Sequence, residues 1–116
     1  MAKYSSQSDI KDELIKQFTT RADHAEAEEY VNKVLSKLGI NTDNVTVTSL
    51  LQELSVTYAT YKRAFYESKN KDDTFYSKYK EYERSLRELT ADIIRTGATE
   101  DDVKAGNKIF TEIFRG

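Results

Sequence analysis

Cysteine, proline and tryptophan are all absent from this chain of 116 residues. Without cysteine there is no disulfide framework, no thiolate metal site and no cysteine nucleophile, and a reducing compartment suits the chain. Without proline, no residue of fixed φ interrupts a long helix, and only four glycines are present to end one. These absences favour an all-α protein.

Neither sign of charge dominates, and no long apolar run occurs. Acidic and basic residues are interleaved, the formal net charge is -2 and the isoelectric point is about 5.5. This balance argues against contact with DNA or RNA, which favours a face of concentrated Lys and Arg. No segment approaches the ~18 apolar residues of a membrane span, and the first residues lack the apolar run of a signal peptide. We therefore expect one cytoplasmic domain, residues 1–116, unless the chain is packaged into a larger particle.

The residues that carry chemistry are sparse. His24 is the single histidine, and its place at a predicted helix start is typical of a solvated side chain. The nearby carboxylates Glu26, Glu28 and Glu29 fall on different helix faces, and one histidine cannot supply a di-iron site. Phosphate-binding loops and nucleophile motifs are absent from the sequence. The sequence predicts no catalytic, metal-binding or cofactor-binding residues, and no enzyme.

Two amphipathic helices are predicted in the first third of the chain. The first spans residues 8–20 and begins at Ser8, whose side chain suits an N-cap. The second begins at Asp23, which forms a capping-box pattern with Glu26, and it ends at Gly39, a residue that adopts the left-handed conformation. A loop rich in Asn, Thr and Asp then covers residues 40–47.

Two longer helices follow, and their apolar residues alternate in steps of four and three. This spacing is a heptad seam, and the short polar stretch "YESKNKDD" between the helices predicts that they run antiparallel. Folded back on itself, the hairpin pairs aromatic with aromatic and aliphatic with aliphatic residues. The predicted layers are Phe65 with Phe75, Tyr61 with Tyr79, Tyr58 with Tyr82, Leu54 with Leu86, Leu51 with Leu89, and Val47 with Ile93.

An aromatic cluster at residues 57–83 holds six of the eight tyrosines. It is interpreted either as core with hydroxyls reaching the rim, which the seam favours, or as an aromatic binding platform. Tyr66 and Tyr76 fall outside the seam, so they are predicted to contact a partner.

Residues 99–116 form a further predicted helix beyond Gly97. Thr99 and Asp102 suit its start, while Gly106 weakens it by about 1 kcal/mol relative to alanine. Its apolar side either caps the hairpin near Val47 and Ile93 or docks on another protein. The predicted contact residues in this segment are Ile109, Phe110, Ile113 and Phe114. The predicted architecture is thus a helical bundle built on a long antiparallel hairpin, with two N-terminal helices and a C-terminal helix.

Several stretches, taken in order, carry a family resemblance. They are "KYSSQSDIKDEL", "SKLGI", "LLQELSVTYATYKRAFYES" and "DDTFYSKYKEYERSLRELTADI". Together they resemble the small helical head-tail connector, or adaptor, proteins of tailed bacteriophages. In that family a tyrosine and a nearby aspartate precede the first helix, alanine and tyrosine alternate in the long helix, and tyrosine and lysine recur in the next. The matching residues here are Tyr4, Ser5, Asp9, Tyr58, Ala59, Tyr61, Asp73, Tyr76, Lys78, Tyr79 and Tyr82.

The resemblance implies a structural subunit of the virion, assembled in the host cytoplasm. Such a subunit forms a homo-oligomeric ring between the portal protein and a tail or stopper protein. Its C-terminal segment grips the portal, and its loops receive the next tail component. The alternative from another class is a small helical regulatory or DNA-binding module. Residues 99–116 would then act as a recognition helix, although they offer only Lys104, Lys108 and Arg115 beside four acids.

Overall fold

The chain is an all-α bundle, as the sequence predicts. A computed structural model describes residues 3–43, 45, 47–69 and 73–96, and within these ranges it contains helices and no strand. The elements in order are a 3-10 turn at Gln7–Asp9, α1 at Glu13–Lys16, α2 at Arg21–Lys37, α3 at Ser49–Ser68 and α4 at Asp73–Thr96. Helix α3 packs against α4, α2 and α1, so it is the central element of the described part.

The predicted continuous helix over residues 8–20 is wrong. Ser6 rather than Ser8 precedes the 3-10 turn, and its backbone N–H donates to the Asp9 carboxylate at 2.8 Å. The chain then leaves helical geometry until Asp12, whose carboxylate caps α1 by accepting from the Ile15 N–H at 3.1 Å. An aspartate that caps a new helix has extended backbone angles and so separates it from the preceding turn.

Helix α2 begins earlier than predicted and ends where predicted. Thr20 is its N-cap and Asp23 is the third helical residue, whose carboxylate accepts from the Thr20 N–H at 2.9 Å. Asp23 therefore supplies the returning carboxylate of the capping box rather than the cap itself. At the other end Gly39 has φ of 77°, and the Ile40 N–H donates to the Leu35 carbonyl at 3.0 Å. This bond pattern is a Schellman motif, which requires the left-handed residue that glycine provides.

The two long helices extend further toward each other than the polar stretch between them suggested. Thr48 caps α3 by accepting from the Leu51 N–H at 3.3 Å, and the helix continues through Ser68. An ion pair of 3.2 Å between Arg63 and Glu67, four residues apart, supports this last turn.

Two apolar clusters hold the bundle together. The larger one joins α2, α3 and α4 to the N-terminal segment, where Tyr4 is only 2% exposed and donates to Asn32 Oδ1 at 2.7 Å. The smaller one joins α1 to α3 and α4. The buried members of the larger cluster are Tyr4, Val31, Val34, Leu35, Leu51, Leu54, Leu86 and Ile93, and those of the smaller are Ile15, Ala64 and Phe75.

The ring contacts follow the predicted layers only in part. Tyr61 meets Tyr79 at a centroid distance of 5.7 Å, as predicted. Phe75, however, packs edge-on against Phe18 of the N-terminal region at 5.5 Å, and Tyr58 stacks on Tyr30 of α2 at 4.6 Å. Val47, placed in the seam by the heptad spacing, is 40% exposed. The observed layers differ from the predicted ones because α1 and α2 also pack on α3 and α4. The prediction paired only the two long helices and so omitted these contacts.

Candidate interaction surface

The aromatic residues at the α3–α4 connection form a continuous surface. Tyr66 and Tyr76 are 42% and 53% exposed, in keeping with their positions off the seam. The ring of Tyr66 contacts Phe65 at 6.2 Å, Phe65 contacts Tyr79 at 5.1 Å, and Tyr79 contacts Tyr76 at 5.9 Å. We refer to Phe65, Tyr66, Tyr76 and Tyr79 as the aromatic surface. It spans both helices, and pairs at these distances hold the rings in place.

Cationic side chains lie over the rings of this surface. Lys62 and Lys69 approach the Tyr66 centroid at 5.6 and 5.7 Å, and Lys69 approaches the Phe65 centroid at 4.5 Å. Lys80 lies 5.4 Å from the centroid of Tyr79. Each such contact is worth about 0.5 to 1 kcal/mol at an exposed site. The aromatic surface therefore has a positively charged rim. The sequence interpretation did not predict this rim. The spacing could have indicated it, because Lys62 and Lys69 lie three or four residues from Phe65 and Tyr66, and Lys80 follows Tyr79.

Nearby acids neutralise the cations around the aromatic surface to different degrees. Lys62 is 4.0 Å from Glu26, and Lys80 is 3.5 Å from Glu83. Lys69 has no ion pair with any carboxylate in the described ranges. It follows the last residue of α3, where a positive charge interacts favourably with the helix dipole. Of the three rim lysines, Lys69 is thus the best placed to receive a carboxylate from outside.

A buried ion pair anchors the inner side of this region. Arg63 contacts Asp23 through two bonds, Nε to Oδ2 at 2.9 Å and Nη2 to Oδ1 at 3.1 Å. The side chain of Asp23 is 2% exposed and that of Arg63 is 19% exposed. The guanidinium also lies 5.4 Å from the Tyr66 centroid, so the start of α2 is linked to the aromatic surface through Arg63. The hydrogen bond to Asp23 raises the pKa of Arg63.

Four further predicted contact residues lie outside the residues that the structure describes. They are Ile109, Phe110, Ile113 and Phe114.

His24 is buried, which corrects the expectation of a solvated side chain. It is 4% exposed, and its Nδ1 lies 2.9 Å from Ser5 Oγ, which in turn lies 2.7 Å from Ser55 Oγ. Its Nε2 faces Gln7 Oε1 at 3.3 Å. The network joins the N-terminal segment to α2 and α3. No local pattern in the sequence indicates this network, because its hydrogen-bonded pairs are 17 to 50 residues apart.

The hydroxyl of Ser5 and the imidazole of His24 are the groups of a nucleophile and its general base, but their surroundings do not suit nucleophilic catalysis. A carboxylate normally orients such a base, whereas here the second ring nitrogen faces an amide oxygen. Ser5 is 5% exposed, and its hydroxyl is shared with Ser55. A groove of about 720 Å³ runs beside the network, lined by residues that include Gln7, Arg21 and His24. Because Ser5 is buried and doubly hydrogen-bonded, the network serves as a polar link between segments.

Burial makes the stability of the protein dependent on pH through His24. Desolvation lowers the pKa of His24, and the carboxylates of Asp23 and Asp9 offset this only in part. A base whose folded pKa is lowered binds its proton more readily in the unfolded chain. The contribution of neutral His24 to the free energy of unfolding is therefore complete above the unfolded pKa of about 6.5, and it falls as the pH drops below that value. We expect the urea midpoint to fall between pH 7.5 and pH 5.5, and His24→Asn, which retains an acceptor near Nδ1, to reduce this fall. An undiminished fall in the variant would assign the pH dependence to other groups.

A second polar cluster fixes α1 to α4. The Asp12 carboxylate accepts from Lys78 Nζ at 2.8 Å and from the Tyr82 hydroxyl, in addition to the Ile15 N–H. Burial alone would raise the pKa of Asp12, but the hydrogen bonds from Lys78, Tyr82 and Ile15 outweigh it and lower the pKa. Burial and the bond to Asp12 raise the pKa of Tyr82. Tyr82 thus stabilises the N-terminal region instead of pairing with Tyr58.

The described ranges contain no group of three or more His, Cys, Asp or Glu residues arranged to hold a metal ion. None of their helices has both the length and the apolar character needed to cross a bilayer. Comparisons with protein-family models, with curated proteins and with solved structures each found no match to this chain.

Proposed function

We propose that this chain is a structural adaptor subunit of a phage head-tail connector, which forms a ring between the portal and a tail or stopper protein. The observation that carries the proposal is the aromatic surface. Large exposed rings, fixed by mutual contacts and by a buried ion pair behind them, are typical of binding surfaces, where tyrosine and arginine are enriched. The resemblance of the sequence to connector proteins supplies the class of assembly.

A helical DNA-binding or regulatory module is the second candidate. Lys62, Lys69 and Lys80 surround exposed tyrosines, and such a combination also suits stacking on bases with nearby phosphate contacts. The adaptor is favoured because Glu26 and Glu83 lie close to two of these lysines and would repel a phosphate backbone. Single-stranded and duplex oligonucleotides, titrated at low and high salt, distinguish the two. Salt-sensitive binding lost in Tyr66→Ala would favour the second candidate.

Deleting residues 99–116 is expected to leave the fold intact and abolish assembly. The described members of the two apolar clusters all lie within residues 4–93, whereas the deleted segment carries the predicted contact residues Ile109, Phe110, Ile113 and Phe114. Circular dichroism would report the fold, and native mass spectrometry, with and without a candidate portal protein, would report assembly.

The full chain with Lys104→Ala and Lys108→Ala serves as the matched control, because it retains the apolar residues of the segment. A deletion variant that loses its helical signal would make the segment ordinary core. A deletion variant that still assembles like the parent would contradict the proposed role of the segment.

A further inference from the structure

We infer that the aromatic surface of one copy binds residues 99–116 of a second copy. This inference rests on the proposed function, since it names the subunit contact of the proposed ring. It assigns the C-terminal segment to a neighbouring copy, where the family resemblance assigns it to the portal.

The rings and amines of the aromatic surface determine what it can accept. Tyr66 and Tyr76 present broad apolar rings with hydroxyls, and Phe65 and Tyr79 fill the space between them. Around the rings lie three lysine amines, of which that of Lys69 has no carboxylate partner in the described part of the chain. Such a surface fits a segment that combines aromatic or aliphatic side chains with carboxylates, because rings pack on rings and amines pair with acids.

The chain itself contains a segment of this composition. Beyond α4 the sequence continues with "TEDDVKAGNKIFTEIFRG", and its apolar residues fall on one face of the helix that the sequence predicts. Glu112 lies between the two apolar pairs, where it can meet a lysine at the rim, and three further acids begin the segment. A helix of this length needs packing to persist in water, and the aromatic surface would supply it. The residues concerned are Glu100, Asp101, Asp102, Ile109, Phe110, Glu112, Ile113 and Phe114.

The length of α4 indicates which copy supplies the segment. Tyr76 lies in the first turn of α4 and Thr96 ends that helix, so at about 1.5 Å per residue the two are about 30 Å apart along its axis. A helix that turned back from Thr99 would place Phe110 about 16 Å and Phe114 about 22 Å along the return path. In this helical form both stop short of Tyr76 on the same chain, by about 14 Å for Phe110 and about 8 Å for Phe114. On a neighbouring copy no such limit applies.

The contact is heterologous, because each chain offers one surface and one segment. Contacts of this kind propagate from copy to copy and close into a ring when the rotation between copies allows it. A subunit contact built this way is what a ring-shaped connector requires.

Complementation between two full-length variants tests the inference. The surface variant carries Tyr66→Ser and Tyr76→Ser, and the segment variant carries Phe110→Ser and Phe114→Ser. The parent chain is expected to form concentration-dependent oligomers in sedimentation velocity, and each variant alone is expected to remain a monomer. An equal mixture retains one intact surface and one intact segment, so it should form a heterodimer that grows no further. Monomers in the mixture, or oligomers of either variant alone, would overturn the inference, as would a parent that stays monomeric at all concentrations.

The absence of native cysteine allows a second measurement, which reports the proximity of the two sites rather than the loss of binding. Copies carrying Tyr76→Cys are mixed with copies carrying Phe114→Cys under mild oxidation, and a disulfide-linked heterodimer is expected. Ser36→Cys, at an exposed position on α2, replaces Tyr76→Cys in the control mixture and should cross-link at least tenfold less. Equal cross-linking in both mixtures would overturn the inference.

The two proposals fail in different ways. If both variants still oligomerise alone and still bind a portal protein, the subunit contact is wrong and the adaptor function stands. If complementation succeeds but neither a portal nor a tail protein binds, the subunit contact stands and the adaptor function is wrong.

Discussion

Replacing Arg63 with alanine is expected to lower the free energy of unfolding by about 3 kcal/mol, the lower end of the range for breaking a buried ion pair. The Asp23 carboxylate is 2% exposed, and Arg63 binds both of its oxygens. Without the guanidinium, the carboxylate stays in a poorly solvated site with only the start of α2 to compensate its charge. The lower end is expected because the side chain of Arg63 is itself 19% exposed, so water can reach part of the vacated space. Urea denaturation at pH 7 would measure the loss.

Arg87→Ala is the matched control for this experiment. Arg87 also lies on a long helix and approaches a carboxylate, that of Glu83 at 3.9 Å, but its side chain is 78% exposed. Surface pairs of this kind contribute about 0 to 1 kcal/mol, so the control should change stability little. Equal effects of the two substitutions would show that the pair between Arg63 and Asp23 contributes no more than a surface contact.

The interface between the long helices gives the second large effect. Leu54 is fully buried and Leu86 is 7% exposed, and both belong to the larger apolar cluster. Replacing either with alanine removes packed methyl groups and leaves a cavity that the surrounding helices fill only in part. We expect a loss of about 2 to 5 kcal/mol for each, with Leu54→Ala the larger because its side chain is the more deeply buried. Thermal melts and urea midpoints would both report it.

Ile94→Ala provides the control for the leucine variants. It removes the same number of carbon atoms from the same kind of helical position, but Ile94 is 40% exposed while the adjacent Ile93 is fully buried. Because little area is lost from contact with the core, we expect a smaller change than for either leucine. Leucine variants that unfold like the parent would contradict the packing of α3 on α4.

Both predictions bear on the proposed binding surface. Arg63 contacts the ring of Tyr66 in the aromatic surface and also forms the buried pair, so Arg63→Ala should weaken assembly along with stability. Leu54→Ala acts far from the rings of Tyr66 and Tyr76. It should lower stability without weakening assembly, as long as the protein stays folded. Assembly measured for the two variants at a temperature where both are folded would separate support of the surface from support of the bundle.

Local patterns in the sequence determined which segments are helical. The heptad runs fall within or next to α3 and α4, and Gly39 ends α2, because amphipathic spacing and a left-handed residue act within a few turns of chain. The exposure of Tyr66 and Tyr76 followed from the same spacing, since residues off an apolar seam face away from the partner helix.

Only the tertiary structure decided how those segments cover one another. The helix predicted over residues 8–20 is broken at Asp12, whose carboxylate binds Lys78, 66 residues away. His24 is buried beneath the N-terminal segment, where Ser5 links it to Ser55 of α3, and Asp23 meets Arg63 from 40 residues away. Periodicity shows which face of a helix is apolar, but it does not show which element covers that face. The polar links and the cationic rim of the aromatic surface depend on which element covers which face, and the packing of the whole bundle determines this.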